Sequence, residues 1–232
     1  MYDSYVRMNM KTRTRPVKRA EGAPSDTRER ILDVAERLFA RRGIDAVSVR
    51  DIIRKAGANL GAINYHFGTK RKLIIAVFDR RVSPVTKERL SALDELEKAA
   101  GDGALPVEGV LEAMFRPAVL HAMDKQRGGA VFGRLMARSM MEPNPHLESF
   151  MRGQIEPIIR RFDAALMRAM PNLTLEDVFW RMHLLIGGLH QSLLMLERKP
   201  PNGIRLRMDA ESYVKRFVAF AAATFRAPLP KV

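Results

Sequence analysis

No cysteine occurs among the 232 residues. That absence excludes a disulfide framework, a thiolate nucleophile and any cysteine-ligated metal site. No uninterrupted apolar run of about 18 residues occurs, so no membrane-spanning helix and no membrane partner are expected. The first residues are polar and basic without an apolar h-region, so a secretory leader is not expected and a cytoplasmic setting is. Missing too are a glycine-rich phosphate loop and any clustered carboxylate and histidine spacing that would name a hydrolytic site; His121, His146, His183 and His190 stand apart. Neither an enzymatic activity nor a cofactor is expected. His183 and His190 lie seven residues apart, about 10 Å along a helix axis, which is too far for one ordinary zinc site.

What the chain has in excess is positive charge, +14 in all. Residues 1–25 carry Arg7, Lys11, Arg13, Arg15, Lys18 and Arg19 against Asp3 and Glu21, with no helical period. They read as a disordered basic arm. Residues 26–90 carry 15 basic against eight acidic side chains, whereas the remaining 142 residues carry 19 against 16. The excess is therefore concentrated in the first 90 residues, the footprint of a phosphate-binding surface.

Apolar periodicity makes the whole chain all-α, with about nine helices and no alternating strand. The first helix is predicted over 26–42, with Asp26 or Thr27 as its cap. Its buried stripe is Ile31, Leu32, Ala35, Leu38 and Phe39, and Gly43 is its stop. Ser48 with Asp51 three residues on resembles a capping box. Asn59 caps a third, short helix, and Thr69 a fourth whose Leu73, Ala76 and Val77 return to the small core. Pro84 lies inside that helical pattern, so a kink or break is expected there. Helical patterns over 106–124, 130–141, 146–170, 175–198 and 208–225 follow. Gly101-Asp102-Gly103, Gly128-Gly129, Pro143-Asn144-Pro145, Pro171-Asn172 and Pro200-Pro201-Asn202-Gly203 punctuate them. The expected fold is an N-terminal three-helix unit with a C-terminal helical bundle.

The two short helices joined at Ala56-Gly57-Ala58 make a helix-turn-helix, a shape that puts its second helix into a DNA major groove. A recognition helix this short must dock by its N-terminal half. Gly61 and Ala62 admit close approach, and Leu60 can touch thymine methyls. Asn59 and Asn64 can offer donors and acceptors to base edges or phosphates. Tyr65 and His66 can hydrogen-bond phosphate oxygens. Thr69 and Lys70 stand at the positive end of the fourth helix, suited to a phosphate. Ser48, Val49 and Arg50 open the second helix beside the neighbouring backbone. Ile63 and Phe67 are spaced to face inward as core, and Gly57 and Gly68 serve as turn and cap.

Gly57, Tyr65, Phe67 and Lys70, spaced as they are after a helix ending at Gly43, resemble the DNA-binding domain of the TetR/AcrR family of transcriptional regulators. The resemblance covers about a quarter of the chain. It implies DNA-backbone contact by Ser48, Tyr65, His66 and Lys70, and a homodimer that represses from a double-stranded, roughly palindromic operator. One departure is Ile53, where many members have alanine, so the packing of the second helix on the third is expected to differ. The expected domains are the arm 1–25, the DNA-binding domain 26–80, and a ligand-binding and dimerisation domain 81–227.

Residues 59–68, together with Phe179-Trp180-Arg181-Met182-His183, are similar to the fatty-acid-responsive PsrA-type branch. That similarity implies a pocket for a small apolar effector, an acyl chain or acyl-CoA. Fourteen methionines and large side chains such as Met114, Leu135 and Met151 allow an adaptable apolar interior. Its expected lining is Phe115, Phe132, Met136, Phe150, Phe162, Phe179, Trp180 and His183. Gly187-Gly188 is costly inside a helix, roughly 1 kcal/mol each, which suggests close approach of another helix or of a ligand. Gly187, Leu189, His190 and Leu193 are the expected dimer contacts. The competing expectation from the charge alone is a sequence-indifferent DNA coater, which would leave the apolar C-terminal helices unexplained.

Overall fold

The structure is a computed structural model that describes residues 24–142, 144–196 and 208–228. The arm expected over 1–25 and the turn at 200–203 lie essentially outside the described residues. Nine helices occur among the described residues: α1 (Pro24–Arg42), α2 (Val49–Ala56), α3 (Leu60–His66), α4 (Lys70–Ala100), α5 (Val107–Met123), α6 (Gly129–Met141), α7 (Pro145–Ala169), α8 (Leu175–Leu196) and α9 (Ala210–Arg226).

Local chemistry sets the ends of the N-terminal helices. α1 starts at Pro24, two residues before the expected cap, so Asp26 sits in its first turn. Proline needs no hydrogen bond for the nitrogen that a first-turn residue leaves unpaired, and its φ is already helical. Gly43 ends the helix at φ 86°, a left-handed conformation open to glycine. Ser48 and Asp51 form the reciprocal capping box: the Asp51 amide donates to Ser48 Oγ at 3.1 Å and the Ser48 amide to Asp51 Oδ2 at 3.2 Å. The Ala62 amide donates to Asn59 Oδ1 at 2.8 Å, and the Lys72 amide to Thr69 Oγ1 at 3.2 Å.

Of the kink or break expected at Pro84, the break does not occur; α4 is one helix of 31 residues. A proline removes one backbone hydrogen bond, but both halves of α4 are anchored. Leu73, Ile74, Val77 and Phe78 lie in one core and Leu93 in the other. Between them, Arg80 and Arg81 bind the carboxylate of Glu36 on α1, which is only 2% exposed.

Those two cores organise the molecule. The N-terminal one gathers the full stripe Ile31, Leu32, Ala35, Leu38 and Phe39 with Ile52, Ile63, Phe67 and the first turns of α4. It is closed by Leu135 of α6 and Leu147 of α7, with Phe132, Met136, Phe150 and Met151 packed against it. Helices assigned by sequence to the C-terminal part thus complete the N-terminal core. The other core joins α5, α7, α8 and α9 around Phe115, Phe162, Val178, Leu185, Val218 and Phe225. Gly129, at the start of α6, is dictated by crowding: a Cβ there would fall 2.1 Å from the His121 carbonyl oxygen.

Candidate nucleic-acid interface and interior cavity

Two long-range contacts hold the helix-turn-helix on α1. Arg30 Nε donates to the Ala56 carbonyl at 2.9 Å, tying down the end of α2. The Arg28 guanidinium lies 5.7 Å over the Phe67 ring at the end of α3. Gly57 makes the turn at φ 61°. With Ile63 and Phe67 buried, α3 must present its other face outward. That face carries Leu60 at 55% and Tyr65 at 80% exposure, with Gly61 and Asn64 also exposed. Ala62 and His66 are half-buried, and the His66 ring meets Tyr65 edge-on at 4.9 Å. Ile53, the departure noted above, is half-buried against the same core.

Capping changes what some of these side chains have to offer. Asn59 has an acceptor engaged by its own helix, leaving the amide donors. Ser48 donates its hydroxyl proton to Asp51 Oδ2 at 2.8 Å, so its proton is not free for a phosphate. Those bonds from Ser48 hold the Asp51 carboxyl below the usual carboxylate range. Val49 is half-buried on the core and Arg50 exposed. Arg50, Lys55, Lys70, Arg71 and Lys72 make no ion pair among the described residues. Three of them open α4, whose first turn holds no acid. Cations at a helix N-terminus oppose the helix dipole, whereas an anion seated there is stabilised. The α3 face and the start of α4 therefore form one surface suited to a polyanion.

Behind α4 lies a partly open cavity of about 490 Å³, lined by residues of α4, α5, α6, α7 and α8. Of the residues expected to line it, Phe115, Phe132, Met136 and His183 do. Phe162 is instead core, at 1% exposure, and Phe150 packs against the N-terminal core. Phe179 and Trp180 are exposed, because their positions on α8 turn away from buried Val178 and Met182. All four expected dimer contacts, Gly187, Leu189, His190 and Leu193, border the cavity, and Leu189 is buried. The side of α8 turned away from buried Leu185 and Leu189 carries exposed Trp180, Leu184, Gly187, Gly188 and Gln191. Leu184 is 73% exposed, and Phe220 of α9 adds another bare ring. Among the described residues, nothing beyond the adjoining turns of α8 comes within 4 Å of a Cβ placed on Gly187 or Gly188.

Sequence reasoning missed most of the polar part of the cavity wall: Arg81, Arg89, His121, Asp124 and Arg127. A signal was present for one of them, since Val82, Val85 and Arg89 follow one helical stripe. His183 and His190 each use Nδ1 on a carbonyl of their own helix, Phe179 at 2.9 Å and Ile186 at 2.8 Å. Among the described residues no cluster of metal-ligating side chains occurs, and no helix is long and apolar enough to cross a membrane.

Comparison with known proteins agrees with this geometry. Residues 31–77 match the profile described as "Bacterial regulatory proteins, tetR family", and residues 112–224 that of "Tetracyclin repressor-like, C-terminal domain". The chain is 38% identical over 63 residues to the HTH-type transcriptional regulator TtgR of Pseudomonas putida, covering 27% of this chain and 30% of that protein. It thus spans under a third of that relative's length. It is 26% identical over 195 residues to the regulator AcrR of Shigella flexneri, covering 82% of this chain and 86% of AcrR. The fold is similar to that of the fatty acid degradation regulator FadR from Bacillus halodurans, with a TM-score of 0.62 at 17% identity. That likeness covers 87% of this chain and 97% of FadR.

Proposed function

Because the chain belongs to the tetR family of bacterial regulatory proteins, we propose that it is a sequence-specific DNA-binding repressor, working as a homodimer and released by a small apolar effector. The observation that carries this reading is the exposed α3 face beside the acid-free, triply basic start of α4. Leu60, Gly61 and Asn64 read bases, while Tyr65, His66 and Lys70 hold the phosphate backbone, joined by Arg50 and by Thr69 through its helix end. Residues 26–80 are the reading head, residues 81–227 sense and dimerise, and a DNA partner sets the protein in the cytoplasm. The operator is double-stranded and near-palindromic, since two-fold protein symmetry is mirrored in the site.

The dimer seam is the bare face of α8 with Phe220 of α9, rather than the Leu189 side. Large exposed apolar side chains in a row mark an interaction surface, and the glycine pair lets a second helix approach closely.

The effector enters the 490 Å³ cavity, a volume within the roughly 300–1,000 Å³ range of small-molecule sites. A long-chain fatty acid or its CoA thioester suits the predominantly apolar wall. Phe132 and Met136 of α6 border the cavity and also pack on the N-terminal core, with the Phe132 ring 6.0 Å from Phe78. Arg138 of α6 donates to the Arg41 carbonyl at the end of α1. Filling the cavity moves α6 and α4 together and changes the spacing of the two α3 helices. A hundredfold loss of operator affinity requires about 2.7 kcal/mol of differential binding.

Operator selection from random DNA, followed by titration with candidate effectors, tests the whole reading. The expected result is one palindromic motif, released on effector binding by a protein that sediments as a dimer. Binding without preference among sequences would leave a DNA coater, and an effector that occupies the cavity without altering operator affinity would remove the switch.

A further inference from the structure

The cavity wall holds more positive charge than an apolar ligand needs. Two of its three arginines have an acid close by, and so does one histidine. Arg81 is bound to Glu36 at 3.0 Å, His121 Nε2 meets Glu88 at 2.9 Å, and Arg127 faces Asp124 at 3.6 Å. Arg89 differs. Among the described residues no carboxylate lies within ion-pair distance of it, and its one hydrogen bond runs from Nε to the Met114 carbonyl at 2.7 Å. Burial alone pulls its guanidinium down to about 10, which still leaves it charged at neutral pH.

An unpaired charge in such a place lowers stability, and structures keep one where something else completes it. The geometry is already arranged for completion. Nε is pinned to α5, which fixes the plane of the guanidinium. The two terminal nitrogens keep four N–H donors, the edge that accepts a carboxylate through two parallel bonds. Pinning also removes rotamer freedom before a ligand arrives, so less is lost on binding. The same cavity has a largely apolar wall that includes Val82, Val85, Phe115, Ile155 and Leu189.

We infer that Arg89 is the anchor for the head group of the effector, and that the effector is a free carboxylic acid with an apolar chain rather than a neutral ester or a thioester. This rests on the cavity being the effector site proposed above, and it chooses between the two ligand forms left open there. The carboxylate pairs with the terminal nitrogens of Arg89, and the chain runs along the Val82–Val85 face of α4 toward α6. A thioester carbonyl carries no charge and would leave the guanidinium uncompensated.

The test is calorimetric titration of the full chain with hexadecanoic acid, its methyl ester and hexadecanoyl-CoA, each below its aggregation limit. The original protein, Arg89→Met and Arg89→Lys are compared. Charge-assisted hydrogen bonds predict that the original protein prefers acid over ester by about 10- to 100-fold. Arg89→Met should lose that preference by weakening acid binding while ester binding holds, and Arg89→Lys should keep part of it. Equal binding of acid and ester, a preference that survives in Arg89→Met, or no binding of either would overturn the anchor. Tighter binding of hexadecanoyl-CoA than of the acid would overturn the free-acid assignment. Should Arg89→Met fail to fold, the acid and ester comparison on the original protein decides alone. Acid held by Arg89 without loss of operator affinity leaves the anchor standing and removes the release mechanism, so the two failures are separable.

Discussion

The N-terminal core and the helices behind it fill their interiors in different ways. Around α1, the side chains of Ile31, Leu32, Phe39, Ile52, Leu73 and Phe78 show no exposure, and the buried carboxylate of Glu36 is met by two arginines. Behind α4 the packing opens into a cavity whose wall includes exposed Met140 and an arginine without an acid. A reading head must hold α3 in one orientation, and close packing does that because dense cores deform little. A sensing site must leave room for its ligand and so gives up contacts. The two meet at α6, whose Phe132 and Met136 serve both.

Matched truncations should expose this contrast most strongly. Phe39→Ala in the closed core should cost about 3–5 kcal/mol by urea denaturation, and Met136→Ala at the cavity wall about 2 kcal/mol, the low end for its type, because part of its surroundings is already open. Equal costs would erase the distinction between the two interiors. A substitution in the opposite direction should stabilise. The folded Arg89 guanidinium titrates lower than in the unfolded chain, so it binds its proton more weakly when folded. Its charge therefore counts against folding throughout neutral pH, and only above the unfolded value does that cost vanish. Arg89→Met without ligand should raise the melting temperature by a few degrees, at roughly 2–4 °C per kcal/mol for a chain of this size. A fall would mean the guanidinium is paired in solution.

Smaller effects distinguish positions within the reading head. Lys70→Ala should weaken binding to all DNA alike and lower the salt slope by about one unit, whereas Asn64→Ala should hurt the operator more than random DNA. The same pattern in both variants would show that base reading and phosphate holding are not divided as proposed. The smallest effect lies at the cap of α2. Asp51 is held below its ordinary value by Ser48, so its contribution is complete above the unfolded value of about 3.9 and fades as pH falls through the lower folded value. Ser48→Ala should move the Asp51 titration, followed by NMR, back toward that ordinary value. An unchanged titration would assign the shift to Arg42 and Arg54, which also face it.

Helix positions were legible because their signals are local. The Ser48–Asp51 box, the Asn59 and Thr69 caps and the left-handed glycines 43 and 57 each act within four residues, and the 3.6-residue period reports burial wherever one face is covered. At Pro84 the local cost is real, yet anchoring of α4 in both cores keeps the helix unbroken. Ser48 and Asn59 illustrate another limit: residue type shows a group that can bond to DNA, but not that its own helix has already taken the bond.

On α8 the limit was one of phase and partner. Periodicity there separates two apolar faces, Leu185–Leu189 and Trp180–Leu184–Gly188, and composition does not say which one looks inward. That choice is made by α5, α7 and α9, which arrive from distant parts of the chain. The same holds for the Arg89 environment, where an arginine on an apolar stripe acquires meaning only when no carboxylate among the described residues lies within ion-pair distance of it. Sequence by itself determined the all-helical architecture, the helix-turn-helix and the basic surface, since each follows from spacing and charge along a short stretch. Tertiary structure decided which residues enclose the cavity, which face of α8 is left bare and which charge stands alone, because burial and pairing are properties of neighbours far apart in the chain.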